Sequence, residues 1–493
     1  GEFQRADDVL NRAMTSDFSS RDSLSLAYSM RNLGQQRFLA GNHKAAASLL
    51  EEATFLSKSS GDRINSARGQ LSLLLNREAL GDKSLGDLFW ALAEESKELR
   101  LKEIQWRALF GAYRFYKVSL NVDESLVLLK EIFELSMSQD GLSSERIGPG
   151  RESLRNEYHR RLVEAKRMED ALEVALVFAQ PRSVRGQRAV LGVTSIQERL
   201  NPGELLWYGW FDQKGWQGWL ISGAATRFVA TDWAGADTSK LFDDLDARLR
   251  ELAPLGTSLT TLSRAFDYLM GDSLDSVTTL KILDAPSRHW VPYRALSLGD
   301  GLLDERVALE WVLPLIGQQI APTDGVDSPT LWITAHSDDL PFAKLERDWF
   351  VEQQVGQEIS FETIFEEQRQ NLHVTGHYDG LGALESAWFA SGRDASIRWP
   401  KHVFMNTCGP AGAFGRTLER LGGLVTALSN GTEVAVSHRL RISDWAAAVL
   451  AKRFYASPSV ESAAKRAQHA TRFVRQMFAH PAHWAGLEVV KGL

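Results

Sequence analysis

Three short turns in the first third of the chain constrain its fold more than any other feature. Gly41-Asn42, Gly81-Asp82 and Asn121-Val122 stand about forty residues apart, and each is followed by a segment whose apolar residues recur at helical intervals. These segments are 45–56, 85–93 and 125–135, and a fourth, less regular unit runs from Asn156 through Met168-Glu169-Asp170 to Phe178. A helix pair of that period cannot bury its apolar face alone, so successive pairs must stack. The spacing therefore predicts a helical solenoid whose concave surface takes a partner; a plain helical bundle propping up the rest of the chain is the alternative. No strand is expected between about residues 23 and 180, and 139–150 (QDGLSSERIGPG) interrupts the array as a loop. Gly1-Glu2-Phe3 reads as a cloning remnant outside the fold.

The first unit, with Asn32-Leu33-Gly34, Phe38, Gly41, Ala45, Ala46, Leu49, Leu50 and Ala53, resembles a tetratricopeptide (TPR) repeat, and the later units resemble it loosely. Character changes near 181–192. Beyond it LLWYGW, GWQGWLIS and TRFVATDW read as a three-strand meander. Helices are expected at 238–252 and 257–269, then strands at 279–283, 307–312 and 330–334. Strands alternating with helices predict a mainly parallel sheet covered on both faces. The expected class is thus α + α/β, with a helical domain over 4–180 and an α/β domain over 181–493.

Within the second domain two short apolar runs stop abruptly on reactive residues. NLHVTGHYDG ends its run at Gly376-His377, and KHVFMNTCGPAG ends its run at Thr407-Cys408. In open α/β sheets reactive groups collect past the carboxyl ends of parallel strands, so the two ends would face one crevice if the strands are neighbours. A Cys/His pair there is the minimal kit for nucleophilic catalysis, because an imidazole favours the thiolate. Cys408 is the single cysteine of the 493 residues, which excludes an internal disulfide and suits a reducing, cytoplasmic compartment. The net charge of −7 argues against direct nucleic-acid binding, and neither a membrane-length apolar run nor a basic leader is found. No close Cys/His ligand set is present, so neither metal nor other cofactor is expected.

The order of these pieces resembles the CHAT family of caspase-like cysteine peptidases, which are often fused to TPR repeats. WVPYRALSLGDGLLDERVALEWVLPL is similar to the block of that family preceding the catalytic half; 329–336 matches the strand that follows it, and Leu345-Glu346 falls where the family has a glutamate. His377 and Cys408 stand in the positions of the catalytic histidine and cysteine motifs. LERLGGLVTALSNGTEVAVSHRLRISDWAAAVLAKRFY and the terminal HPAHWAGLEVVKG resemble the elements after the cysteine. The resemblance covers about 183–493, and implies a caspase-like fold with a non-catalytic half to about 325 and a catalytic half over 326–493. It implies limited proteolysis of a dedicated protein target, in defence or programmed cell death, with a regulator or the substrate on the repeats. A catalytically silent scaffold, or a subunit switched by a nucleic-acid-guided complex, is the alternative.

In this reading Cys408 is the nucleophile and His377 the general base, then acid. Backbone N–H groups at Gly376, Tyr378, Cys408 and Gly409 surround the oxyanion. Where the family has glycine after the histidine this chain has Tyr378, whose ring would crowd the cleft and hold the enzyme latent. His373 and His402, inside the strands, read as structural. For specificity Asp379 lies near the expected cleft mouth, and SHRLRISD follows a strand expected beside the cysteine strand. Asp444 there suits a basic side chain, Arg439 or Arg441 an acidic one; Asp444 equally fits the N-cap of the helix WAAAVLAKRF.

Overall fold

The computed structural model describes residues 2–20, 22–138, 150–179, 192–212, 215–231, 238–283, 290–299, 301–313, 331–335, 341–353, 356–358, 371–377, 400–408, 428, 432–440, 442–457 and 461–492. The chain forms two compact units, 1–175 and 176–493.

The first unit consists of helices: α1 (Glu2–Ser20), α2 (Ser23–Leu39), α3 (His43–Ser59), α4 (Arg63–Ala79), α5 (Gly86–Glu98), α6 (Lys102–Tyr116), α7 (Val122–Met137), α8 (Arg151–Glu164) and α9 (Met168–Ala179). Helix α1 begins at Glu2, so it runs through the residues read as a remnant. The punctuation has a local cause. Gly41 closes α2 in the left-handed region, with its N–H on the Phe38 carbonyl and that of Asn42 on Arg37. This is the Schellman end that glycine adopts without steric cost. Asn42 then caps α3 by accepting from Ala45 N–H, so one dipeptide stops a helix and starts the next. Gly61-Asp62 repeats the device between α3 and α4. The forty-residue period is therefore two helices, and Gly61-Asp62 is the intermediate turn that the longer period skips. At Gly81 the helix end is the same, but Asp82 accepts from Ser84 instead and α5 begins at Gly86. Two further turns place the same hydrogen bonds on Arg100 (φ 57°) and Lys166 (φ 60°), where no glycine marks them.

Packing explains the small residues. A Cβ on Gly34 would lie 2.8 Å from Leu50 Cγ, so α2 and α3 cross closely only because that position is bare. Leu33, Leu50, Leu71, Phe89, Trp106 and Leu129 fill the interior. Polar pairs link every second helix: Arg31 donates to Asn65 (2.9 Å), Arg114 to Glu78 (2.7 Å) and Tyr113 to Glu157 (2.8 Å).

Among the described residues the second unit is built on one eleven-stranded sheet. Its strands are β1 (Glu204–Asp212), β2 (Gly215–Ile221), β3 (Thr226–Ala230), β4 (Thr279–Leu283), β7 (Ala308–Leu313), β8 (Leu331–Ala335), β9 (Gln357–Glu358), β10 (Asn371–His377), β11 (His402–Cys408), β12 (Val434–His438) and β13 (Leu487–Gly492), in the order β3-β2-β1-β4-β7-β13-β12-β11-β10-β8-β9. A separate hairpin, β5 (Ser297–Leu298) with β6 (Gly301–Leu302), lies between β4 and β7 in the chain. The expected meander is β1–β3, antiparallel; β1/β4, β4/β7, β7/β13, β12/β11, β11/β10, β10/β8 and β8/β9 are parallel, and β13/β12 is antiparallel. The helices are α10 (Val193–Gln197), α11 (Thr238–Glu251), α12 (Gly256–Met270), α13 (Leu303–Arg306), α14 (Pro341–Glu352), α15 (Asp444–Ala456) and α16 (Ala463–Met477).

Alternation along the strands divides two cores. Ala435 and Val490 join a cluster with Trp207, Phe266 and Trp311, while Val434, Val436 and Val489 join Phe454, Ala467 and Val474 of α15 and α16. The sheet thus carries helices on both faces. Fully buried Arg294 pairs with Asp304 and donates to the Leu487 carbonyl (2.7 Å), tying the 290–304 segment to the start of β13. Burial raises the Asp304 carboxyl above its ordinary range, against the pull of Arg294. Among the described residues no helix is long and apolar enough to cross a membrane.

The turn geometry sets opposite expectations for two substitutions. Gly61 has φ +75°, and a Cβ added there would meet only open space, so Gly61→Ala incurs the left-handed penalty alone and should destabilise the helical unit by about 1 kcal/mol. Arg100→Gly removes that penalty at some cost in unfolded-chain entropy, and should stabilise by about 0.5 kcal/mol. Thermal unfolding of the two variants beside the parent checks both signs.

Candidate functional site

Strands β10 and β11 run parallel and in register from Asn371↔His402 to His377↔Cys408. Both are buried on their two faces, with Leu372, Val374, Val403 and Met405 on one and His373, Thr375, Phe404 and Asn406 on the other. Their last paired residues are His377 and Cys408, on neighbouring strands about 4.8 Å apart in the hydrogen-bonding direction. Gly376 pairs with Thr407 on one side and Ala335 on the other. The condition attached to the two strand ends, that the strands be neighbours, is met. Tyr378, Asp379, Gly409 and Arg441 lie outside the described residues.

One step down the same strands is a buried polar cluster. Thr375 and Asn406 are register partners and stand two residues before His377 and Cys408, with the same alternation parity. Thr375 Oγ1 donates to Glu346 Oε2 (3.0 Å), and Asn406 Nδ2 donates to both Glu346 oxygens (3.0 and 2.8 Å). Glu346 comes from α14 and is 1% exposed. With its amide nitrogen turned to the carboxylate, Asn406 leaves Oδ1 for His438 Nε2 at 3.0 Å, so that nitrogen carries the proton. His373 is fully buried, as its structural reading anticipated: Nδ1 lies 3.0 Å from Tyr455 Oη, and Nε2 lies 2.7 Å from Glu346 Oε1, an ion-pair distance off the hydrogen-bond axis. Burial, with the Glu346 charge nearby, pushes the Tyr455 phenol well above its ordinary range. His402 is also buried, with Nε2 3.9 Å from Glu433.

Sequence reasoning singles out Glu346 by resemblance alone and misses Thr375, Asn406, His438 and Tyr455. The available signal is chemical: Thr375 and Asn406 are polar residues inside buried strands, where a polar group must find a partner.

The specificity candidates have structural engagements. Arg439 Nη1 donates to Glu488 Oε1 (3.1 Å), its side chain is 11% exposed, and Trp290 Nε1 donates to the same oxygen (3.2 Å). Asp444 is not the N-cap of its helix. Ser443 holds that position, accepting from Ala446 N–H, and Asp444 is the first helical residue. The reason is spacing: a cap accepts from the second or third helical N–H, and Ser443 is the residue so placed. Asp444 instead accepts from Phe342 N–H (2.8 Å) at the start of α14, and Phe342 stacks on Trp445 at 5.7 Å. One helix thus caps its neighbour. Among the described residues no group of three or more His, Cys, Asp or Glu side chains is arranged to hold a metal ion.

No family model matches the chain, and no curated protein matches it. Solved structures similar to part of it include the nearly identical TPR-like repeats of a Podosopora anserina kinesin light chain-type protein, at 18% identity and a TM-score of 0.27, covering 38% of this chain and 90% of that one. A single-substitution form of the same protein gives 19% identity, a TM-score of 0.28 and the same coverage.

The cross-helix cap predicts a stability effect. Asp444→Ala leaves Phe342 N–H without its acceptor and should cost about 1 kcal/mol, whereas Asp444→Asn retains an acceptor and should cost less. Thermal unfolding of the second unit measures the difference.

Proposed function

We propose that this chain is a cysteine endopeptidase in which Cys408 is the nucleophile and His377 its base. The observation that carries the reading is the in-register pairing of His377 with Cys408 at the carboxyl ends of adjacent parallel strands. That is where an open α/β sheet gathers its reactive groups. The likeness of the surrounding motifs to CHAT peptidases supports the same assignment, with limited proteolysis of a dedicated protein target as its consequence.

The chemistry is acyl transfer. The Cys408 thiolate attacks the scissile carbonyl carbon, and backbone N–H groups at the strand ends, from 376–378 and from Cys408, stabilise the oxyanion. His377 then protonates the leaving amine, and water, deprotonated by the same imidazole, releases the acyl group. The helical unit has a separate part in this reading. Stacked helix pairs present an extended surface, and here it recruits the substrate or a regulator. Tyr378, bulky where the related peptidases have glycine, keeps the resting enzyme latent until that regulator acts.

The single cysteine gives a direct test. Iodoacetamide should modify Cys408 at pH 7 about tenfold faster than a free thiol of pKa about 8.5, and His377→Ala should remove most of that advantage. Modification of Cys408 only after unfolding, in the otherwise activated protein and in Tyr378→Gly alike, would identify it as a buried structural residue and leave the chain a scaffold.

A further inference from the structure

The buried cluster beneath the strand ends is more than a satisfied core. Two donors from adjacent strands, Thr375 Oγ1 and Asn406 Nδ2, converge on the Glu346 carboxylate, and the His373 Nε2 edge closes on it at 2.7 Å. The two donors lead straight to the strand ends: Thr375 precedes His377 by two positions and Asn406 precedes Cys408 by two. Such convergence requires a group that only accepts. A carboxylate does so; a carboxamide in its place would turn an NH2 group toward at least one of those donors. The same carboxylate also fixes which way Asn406 faces, and through Asn406 Oδ1 it orders His438 on β12. Three parallel neighbours, β10, β11 and β12, are therefore joined side chain to side chain through one anchor that comes from α14.

We propose that Glu346 is a positioning residue: an acceptor-only anchor that fixes the His377 end of β10 against the Cys408 end of β11. The proposal rests on the Cys/His reading and assigns to Glu346 no contact with substrate. Its action is geometric. Thr375 and Asn406 lie about 6.6 Å before the reacting pair along each strand, so a small relative shift at the anchor is transmitted directly to the pair. The charged and titratable groups around the anchor are His373 and Tyr455 against it, His438 beyond Asn406, and Arg466 beside Tyr455.

The test uses the full chain and iodoacetamide, whose rate of reaction with the only cysteine is measured from pH 5 to 10. In the parent the midpoint should lie below about 8.5, and in His377→Ala it should rise to that value. In Glu346→Gln the midpoint should rise toward that of His377→Ala, with the rate at pH 7 falling at least threefold. Loss of the charge alone would move the midpoint the other way, because a nearby carboxylate disfavours the thiolate. Thr375→Ser keeps the donor and should keep the parent profile; Thr375→Val removes it and should move part of the way, which reads the proposal even if Glu346→Gln fails to fold. A midpoint in the folded Glu346→Gln or Thr375→Val variant that is unchanged or lowered, while His377→Ala shifts, overturns the positioning role and leaves the Cys/His reading standing. Coincident profiles for the parent and His377→Ala overturn the Cys/His reading and the proposal with it.

Discussion

The register between β10 and β11 is the constraint on which the proposed chemistry depends. Side chains alternate across a strand, so a slip of one residue would send a whole set to the opposite face. The pairing from Asn371↔His402 to His377↔Cys408 keeps Leu372 and Val403 opposite each other, Val374 opposite Met405, and Thr375 opposite Asn406. Both faces of these two strands are buried, so each face demands its own set from the alternating residues. A slip would therefore expose or clash both sets at once, and the burial of Val374 and Met405 at one step and of Phe404 at another holds the strand ends level.

The sheet that contains this pair is joined across its middle by β13. Among the described strands of the sheet, β1–β4 with β7 form one block and β8–β12 another, and they meet only through β13, parallel to β7 and antiparallel to β12. Residues 487–492 are thus hydrogen-bonded between strands that precede them by about fifty and about 180 residues. Such a contact carries a large loop-closure cost and forms late unless side chains assist it. Arg294 does so: its guanidinium reaches the Leu487 carbonyl from the first block while holding Asp304, and Arg439 with Trp290 meets Glu488 one residue on. These buried polar contacts bind the last strand to both blocks, which accounts for charged residues at a place where apolar packing alone would suffice to bury area.

How much of this is legible in the sequence follows from the range over which each feature is encoded. Gly41-Asn42 announces a turn because both of its tasks are local, and the strands ending at His377 and Cys408 are readable as apolar runs broken by glycine or a polar residue. Gly61-Asp62 carries the same signal but falls inside the longer period, which hides it. Arg100 and Lys166 cannot be found this way, since an ordinary residue in a left-handed turn leaves no compositional mark. The anchor cluster is illegible for another reason. Glu346, Thr375, Asn406, His438 and Tyr455 come from five elements spread over about 110 residues, and no spacing links them until the strands pair. Asp444 shows the same limit at short range: local spacing offers it as a cap, and only tertiary packing shows that the helix it caps is α14.

A slip of two residues raises a different problem from a slip of one, because it preserves every face. Apolar packing is non-directional and resists such a slip only through shape, and Leu372 and Val374 on β10, like Val403 and Met405 on β11, differ in volume by roughly one methylene group. Directional partners discriminate where apolar ones do not. Shifted by two, β11 would offer Phe404 or Cys408 in place of Asn406 to Glu346, and the carboxylate would lose both amide contacts while remaining 1% exposed. A buried carboxylate stripped of its amide donor loses about 2 kcal/mol or more, which exceeds the mismatch of one methyl group. Desolvating Glu346, His373, Asn406, His438 and Tyr455 lowers the stability that an apolar face could have reached, but it rejects the one misalignment that alternation alone would accept.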